Sequence, residues 1–293
     1  MCGVVGLFLK DKALEPQLGA LLTDMLVTMT GRGPDSAGIA VYRGADDGQV
    51  KLTVQSANPD VDFAGLADTL GASVTRCDTH AIISCAAEEA DAVRTRIAAI
   101  PALRLMSTGD AIEIYKEVGL PAKVAERFDI PSLGGTHGIG HTRMATESAV
   151  TTLGAHPFST GPDQCLVHNG ALSNHNSLRR DLEDEGVEVM SACDTEAAAA
   201  FLTWKMQQGA NLGEALEASL DALDGCYTFV VGTKEGFAVL RDPVACKPAV
   251  LAETDQYVAL GSEFRALANL PGIDDARIWE PEPATVYVWE RQA

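Results

Sequence analysis

The chain has 293 residues, 46% hydrophobic and 22% charged, which suits one large folded domain or two modest ones and excludes a disordered chain. Acidic residues outnumber basic ones 41 to 22, and the formal charge of −19 repels nucleic-acid phosphates and anionic lipid. The seven cysteines are scattered without a C-x-x-C spacing, so neither a disulfide framework nor a zinc site is expected; with no signal peptide or spanning apolar run, a reducing cytoplasmic compartment is expected.

Residues 4–9 predict a buried strand directly behind Cys2. Pro16 suits a first helical position, and Leu14, Leu18, Leu21, Leu22, Met25, Leu26 and Met29 recur at helical spacing, predicting a helix to about residue 30. The tight loop Gly31-Arg32-Gly33-Pro34-Asp35-Ser36 follows, and 37–43 returns as a strand. Residues 45–135 differ in character, with short strands at 51–55 and 81–85 and helices at 88–100 and 111–128, the second broken at Gly119-Leu120-Pro121. This stretch reads as an elaboration inserted into the main domain, one that docks a partner or lids a site. The main pattern resumes with strands at 138–143 and 164–168, separated by a loop carrying Ala155-His156-Pro157-Phe158. A polar helix is expected at 174–184. Asp194 is placed to cap a helix over 195–208, and Asn211 a second one with Leu212, Leu216, Leu220 and Leu223 along its face. Strands at 226–232, 237–241, 249–252, 257–261 and 285–289 close the chain. Strands, then helices, then antiparallel strands predict packed sheets covered by helices.

The residue types that carry chemistry fall in five segments. At the start, removal of Met1 would leave Cys2 with a thiol and a free α-amine, which titrate near ~8.5 and ~8 respectively. A nucleophile would then sit beside its own general base. The other segments are Arg32-Gly33-Pro34-Asp35-Ser36-Ala37-Gly38, Gly140-His141-Thr142-Arg143-Met144-Ala145-Thr146, Val167-His168-Asn169-Gly170 and Cys193-Asp194-Thr195-Glu196. Singly, each has a structural explanation: a surface ion pair for Arg143, a turn for Asn169-Gly170, core histidines at 141 and 168, a helix cap at Asp194. Jointly they suit an amino-acid amide. Arg143 offers a bidentate fork for an α-carboxylate, and Asp194 a carboxylate for an α-ammonium. The Asn169 side chain and the Gly170 N–H offer two donors to a developing oxyanion.

In this order, the five segments resemble the class II glutamine amidotransferases, members of the N-terminal nucleophile hydrolase superfamily. The resemblance covers residues 2–38 and about 136–266. It implies an α+β fold, a four-layer αββα sandwich of two mainly antiparallel sheets, here carrying an inserted α/β segment at about 45–135 of a domain spanning 2–293. It also implies glutamine hydrolysis, with Cys2 as nucleophile, Asn169 and Gly170 as the oxyanion pair, and Arg143 and Asp194 as ligands of the glutamine α-groups. Arg32 would support the surroundings of the nucleophile, and Thr146 and His168 would line the substrate site. Two positions depart from the family pattern: Met144 stands where an aromatic residue is usual, and Glu147 where a histidine is common. No synthase domain, phosphate loop or flavin fingerprint follows the motifs. The opening Met1-Cys2-Gly3-Val4-Val5-Gly6-Leu7-Phe8-Leu9-Lys10-Asp11 is most similar to amidotransferase subunits of N-methylglutamate synthase, which are related to the amidotransferase part of glutamate synthase. That likeness implies a hetero-oligomeric complex, no cofactor in this chain and FMN in a partner synthase subunit. A catalytically silent scaffold and a stand-alone amide hydrolase are the alternatives.

Overall fold

The computed structural model describes residues 2–44, 48–58, 60–145 and 149–291. The chain opens with β1 (Gly3–Leu9), followed by α1 (Leu18–Thr28), β2 (Ser36–Tyr42) and β3 (Gln49–Gln55). Pro16 lies in the short 3₁₀ helix Lys12–Gln17 that precedes α1. Next come α2 (Leu66–Leu70), β4 (Ser73–Cys77), β5 (His80–Ala86), α3 (Ala90–Ala98), β6 (Arg104–Gly109), β7 (Ile112–Val118) and α4 (Pro121–Arg127). Strands β8 (His137–Arg143), β9 (Phe158–Gly161) and β10 (Gln164–Leu172) lead to α5 (His175–Asp184), α6 (Asp194–Gln207) and α7 (Leu212–Ala222). The chain ends with β11 (Gly225–Gly232), β12 (Gly236–Arg241), β13 (Val250–Glu253), β14 (Tyr257–Gly261), β15 (Arg277–Trp279) and β16 (Val286–Glu290).

These strands form three antiparallel sheets. One runs β15-β13-β14-β1-β8-β2-β7, the second β16-β12-β11-β10-β9, and the third β4-β5-β3-β6. Strand periodicity divides the core, because alternate side chains point to opposite faces. Val5, Leu7 and Leu9 of β1 and Ile39 and Val41 of β2 pack under α1 and α4. Their neighbours Val4, Phe8, Ala40 and Tyr42 face Val167, Val230 and Val239 of the five-stranded sheet. The far face of that sheet, with Leu166, Phe229 and Leu240, is covered by α5, α6 and α7. Helix α1 buries Leu18, Leu22, Met25 and Leu26 on one face, as its spacing requires. Helix α6 is buried from Thr195 to Thr203. Its run Ala197-Ala198-Ala199-Ala200 is small enough to pack against β9, β10, α5 and α7 together.

The segment expected as one insertion divides in two. Up to Gly109 it forms the third sheet, with its own core of Leu52, Val54, Phe63, Ile83, Val93 and Ile97. From Ile112 it rejoins the main sheet: β7 pairs with β2 along its whole length, Ser36 opposite Val118 and Tyr42 opposite Ile112. The helix expected over 111–128 is therefore a strand followed by α4. The expected break at Gly119-Leu120-Pro121 is where the strand ends and α4 begins. Ile112 and Ile114 face the inter-sheet core and Tyr115 the α1 side. Gly119, with φ at 129°, marks the break between strand and helix. The third sheet is joined at the Tyr42 end of β2, whereas Ser36 at the other end pairs with Arg143. It therefore attaches away from Cys2, roughly 20 Å along a seven-residue strand, a poor place for a lid on a Cys2 site.

Candidate active site

Cys2 precedes β1 where β1, β8 and β2 end together, with Gly3 opposite Thr142 and Ser36 opposite Arg143. A chain terminus frays unless it is held, and this one is held from two sides. The Arg32 Nε donates to the Cys2 carbonyl at 2.8 Å, and its Nη1 pairs with Glu263 at 2.6 Å. The Arg32 hydrogen bond draws the Glu263 carboxyl below its usual range. On the other side, Val4 N–H donates to Ser262 Oγ and the Ser262 N–H to the Val4 carbonyl, both at 2.9 Å. The half-buried Cys2 thiol lies 4.0 Å from the Met144 carbonyl oxygen. Arg143, at the end of β8, is buried, and its Nη1 donates to the Ala149 carbonyl at 3.3 Å. Asp35 ties down the chain just after it: its N–H donates to the Arg143 carbonyl at 3.1 Å and its carboxylate accepts the Ala145 N–H at 2.8 Å. Thr146 and Glu147 lie outside the described residues.

The second group of predicted residues stands on β10. Asn169 is buried and its side-chain Nδ2 has no hydrogen-bond partner among the described residues. A buried amide donor left in this way is rare. Gly170 follows with φ at 154°, and a Cβ there would lie 2.0 Å from the Cys226 carbonyl oxygen, so only glycine fits. The His168 Nδ1 lies 3.0 Å from the Thr195 hydroxyl and 3.7 Å from Asp194 Oδ1. Asp194 is not the helix cap that its position suggested. It is the first residue of α6, whose N-cap is Cys193. Its carboxylate instead accepts the Leu172 N–H at 3.0 Å and the Thr195 hydroxyl at 3.2 Å. Burial alone would raise its pKa; the facing His168 and these donors outweigh burial and hold it below the usual carboxylate range.

Two contacts join the sheets. The His141 ring nitrogen Nε2 lies 3.0 Å from the His168 carbonyl oxygen, and His141 stacks on His156 with centroids 3.9 Å apart. Burial lowers the His141 pKa to about 3 and that of His156 well below its usual value, so both rings are neutral. The loop carrying His156 crosses β2 at Gly38, where a Cβ would come within 2.0 Å of the His156 carbonyl oxygen. Lys116 pins the same loop, its Nζ donating to the carbonyls of Ala155 at 2.7 Å and Pro157 at 3.0 Å. Burial lowers its pKa to about 8. Thus Cys2, Arg32 and Arg143 lie at one end of the seven-stranded sheet, His168, Asn169 and Gly170 on β10 and Asp194 at the start of α6, and the His141–His168 contact joins the two groups. Asp35, His156 and Thr195 stood in or beside the motifs, but no role was drawn from them. Lys116 was hidden by the helical reading of its segment, and Ser262 and Glu263 by their place after an ordinary strand.

A model of the glutamine amidotransferase domain matches residues 141–269. The chain is 64% identical over 298 residues to the glutamine amidotransferase-like protein GlxB of Rhizobium meliloti (strain 1021), covering 100% of this chain and 99% of that protein. The chain belongs to the class II glutamine amidotransferases. A second relative in this family, from Methanothermobacter thermautotrophicus, is 33% identical over 307 residues, covering 99% of this chain and 100% of its own. The fold also matches the glutamine phosphoribosylpyrophosphate amidotransferase of B. subtilis with a TM-score of 0.63 at 20% identity, over 96% of this chain. This amidotransferase spans only 46% of that enzyme's length. Among the described residues, no three His, Cys, Asp or Glu side chains group as metal ligands, and no helix is long and apolar enough to cross a membrane.

Proposed function

We propose that the chain hydrolyses glutamine through Cys2 and passes the nitrogen to a separate flavin-dependent synthase subunit of the N-methylglutamate synthase or glutamate synthase type. With Met1 removed, the Cys2 thiol attacks the amide carbon and its proton moves to the α-amine. Asn169 Nδ2 and the Gly170 N–H stabilise the tetrahedral oxyanion. The C–N bond breaks as the ammonium proton is returned to the leaving nitrogen, giving ammonia and a γ-glutamyl thioester at Cys2. Water attacks the thioester and releases glutamate and the free thiol. Arg143 holds the substrate α-carboxylate and Asp194 its α-ammonium, with Thr146 and His168 beside them and Arg32 fixing the Cys2 backbone. The stacking of helices, two sheets and helices is read as the αββα sandwich of N-terminal nucleophile hydrolases, with 48–109 as its inserted segment. FMN would be held by the partner, in the cytoplasm, and the insertion would dock it.

The observation that carries this reading is the buried Asn169 amide, which has no hydrogen-bond partner among the described residues and lies next to a glycine that admits no side chain. The test has two parts. Mass spectrometry of the purified chain should show Cys2 as the N-terminal residue. Glutamate release should then be measured for wild type and Cys2→Ala, with and without co-purifying subunits. Equal background rates in every arm would sink the proposal.

A further inference from the structure

Besides Cys2 the chain has six thiols, and two of them meet. Cys77, Cys165 and Cys193 are turned to oxygen atoms of Phe128, Tyr42 and Asp194. Cys226, half-buried as the second residue of β11, is turned to another cysteine, the exposed Cys246. A side-chain hydrogen bond with Cys246 is the first cause that raises the Cys226 thiol above its usual range. Cys226 is thereby kept protonated, and the first attack on an oxidant falls to Cys246, the more accessible of the two.

Both residues are fixed in place beside the oxyanion donors. Alternate side chains of β11 face the other sheet: Val230 packs in the inter-sheet core, so Thr228 and Cys226 share its face. Val167 sets the same face on β10 for Asn169. The register places Asn169 opposite Thr228 and Ala171 opposite Cys226, which makes Cys226 a diagonal neighbour of Asn169. The Cys226 carbonyl is also the group that leaves no room for a side chain at Gly170. The loop after β12 folds over this face. The Lys247 carbonyl accepts from the Thr228 hydroxyl at 3.3 Å and from Arg241 Nη2 at 2.9 Å, and the same Nη2 donates to the Ala245 carbonyl. The Asp242 carboxylate accepts the N–H groups of Tyr227 at 2.9 Å, Val244 at 2.8 Å and Ala245 at 3.1 Å. Ala245 is held at a φ of 52°, a conformation that a non-glycine residue keeps only when its surroundings fix it. Cys246 therefore stands between two anchored carbonyls, over the end of β11.

We propose that Cys226 and Cys246 form a reversible dithiol site, closed by exchange with a small-molecule disulfide, and that closure slows glutamine hydrolysis by shifting the strand end beside Asn169 and Gly170. The Cys246 thiolate attacks one sulfur of the small disulfide, which forms a mixed disulfide and releases one small thiol. The Cys226 sulfur then gives up its proton and displaces the second small thiol from Cys246. The two protons lost by the pair end on the two released thiols, and the two electrons lost by the pair reduce the small disulfide. The loop is the better anchored side, so Cys226 moves toward Cys246, and the backbone against Gly170 moves with it. The effect on turnover rests on the oxyanion role given to Asn169 and Gly170; the cross-link itself does not.

The test treats the full chain with excess glutathione disulfide and then with dithiothreitol. In Cys2→Ala, mass mapping without reductant should find the Cys226 and Cys246 peptides joined with the loss of two hydrogens, and dithiothreitol should separate them. Amide hydrogen exchange over 225–228 should slow in the cross-linked form. In the wild type, kcat for glutamine should fall about tenfold on oxidation, a smaller loss than the roughly 10²–10³ that follows from removing a donor outright, and recover on reduction. Cys246→Ala should keep the wild-type rate when reduced, and any loss it shows on oxidation measures modification of Cys2 itself. Three results each overturn the proposal: no link between Cys226 and Cys246, unchanged exchange in the linked chain, or an oxidised wild type that loses no more activity than Cys246→Ala. Absence of hydrolysis in the reduced wild type would instead strike the glutamine reading, and the link and exchange measurements would still decide the dithiol site.

Discussion

The Cys2 end of the seven-stranded sheet and the inserted β3–β6 sheet are assembled in opposite ways. At the Cys2 end, each tie joins residues far apart in the chain: Arg32 to Glu263, Val4 to Ser262, Asp35 to Ala145 and His141 to His168. The inserted sheet pairs β4 with β5, β5 with β3 and β3 with β6, all within residues 49–109. It packs on a core drawn from the same segment. Long-range ties carry the cost of closing large loops, whereas local ones do not. A site built from strand ends exists only when the whole topology is complete, but a self-contained sheet can be added at a hairpin tip without disturbing it. Substitutions at the two places should therefore behave differently.

The largest effect is expected at Cys2. Cys2→Ala should lower glutamine hydrolysis by on the order of 10⁴-fold or more, because it removes the nucleophile rather than a contact. The melting temperature should stay near wild type, since the side chain is only half-buried and its structural bond is through its backbone carbonyl. A large fall in stability would mean that Cys2 is part of the scaffold. Asn169→Ala comes next. Removing one oxyanion donor costs about 10²–10³ in kcat. Steady-state kinetics should show the loss in kcat with little change in KM. A change in KM alone would move Asn169 to ground-state binding.

Lys116→Met tests the polar support beneath the site. It removes the donor from the Ala155 and Pro157 carbonyls, and should destabilise the fold by about 2–4 kcal/mol in urea unfolding. The pH dependence carries a sign. The folded pKa of Lys116 is about 8, below an unfolded value near ~10.4. Between those values the unfolded chain binds more protons, so the contribution of this group to stability rises with pH over that window. Lys116→Met should lose this rise while remaining pH-dependent elsewhere. An identical profile in the two proteins would place the titration on another group.

Much of this architecture could be read from the sequence, for physical reasons that differ by element. Strands such as β1 and β14 are runs of apolar residues buried on both faces, and α1 repeats its apolar face at helical spacing. The segment at β7 could not be read so easily, because Glu113, Lys116 and Glu117 are buried charges whose partners, among them Lys51, Thr152 and the 155–157 carbonyls, are distant in sequence. Asp194 shows the same limit within a motif. Its position before a helix predicts a cap, yet its carboxylate accepts the Leu172 N–H, from the strand beneath that helix. Short strands β4, β6, β9 and β15 gave no clear alternation and were set by the neighbours they pair with. The five motifs were legible as residue types, but the ties that hold them together were not.

The smallest effect on glutamine hydrolysis is expected from removing the insertion altogether. Tyr42 and Ile112 are register partners, and the Arg43 N–H bonds the Ala111 carbonyl at 3.0 Å. The inserted segment thus leaves and re-enters the main sheet at adjacent backbone positions. A chain in which residues 44–110 are replaced by Asn-Gly can close β2 and β7 as a two-residue hairpin. It loses Met106 from the inter-sheet core, the Lys51 partner of the buried Glu113 and one of three backbone donors to the Asp163 carboxylate, keeping those of Ala111 and Ile112. The expected stability cost is about 2–5 kcal/mol for emptying one buried methionine site, and Glu113→Gln in the spliced chain should recover what the loss of Lys51 adds to it. Because the changes lie far from Cys2, the hydrolysis rate should stay within about twofold of wild type. Capture of a synthase subunit should be lost if the insertion docks it. A spliced chain that gives a normal circular dichroism spectrum but no glutaminase would show that the two regions are coupled, and the division between them drawn from the sheet topology would have to be abandoned.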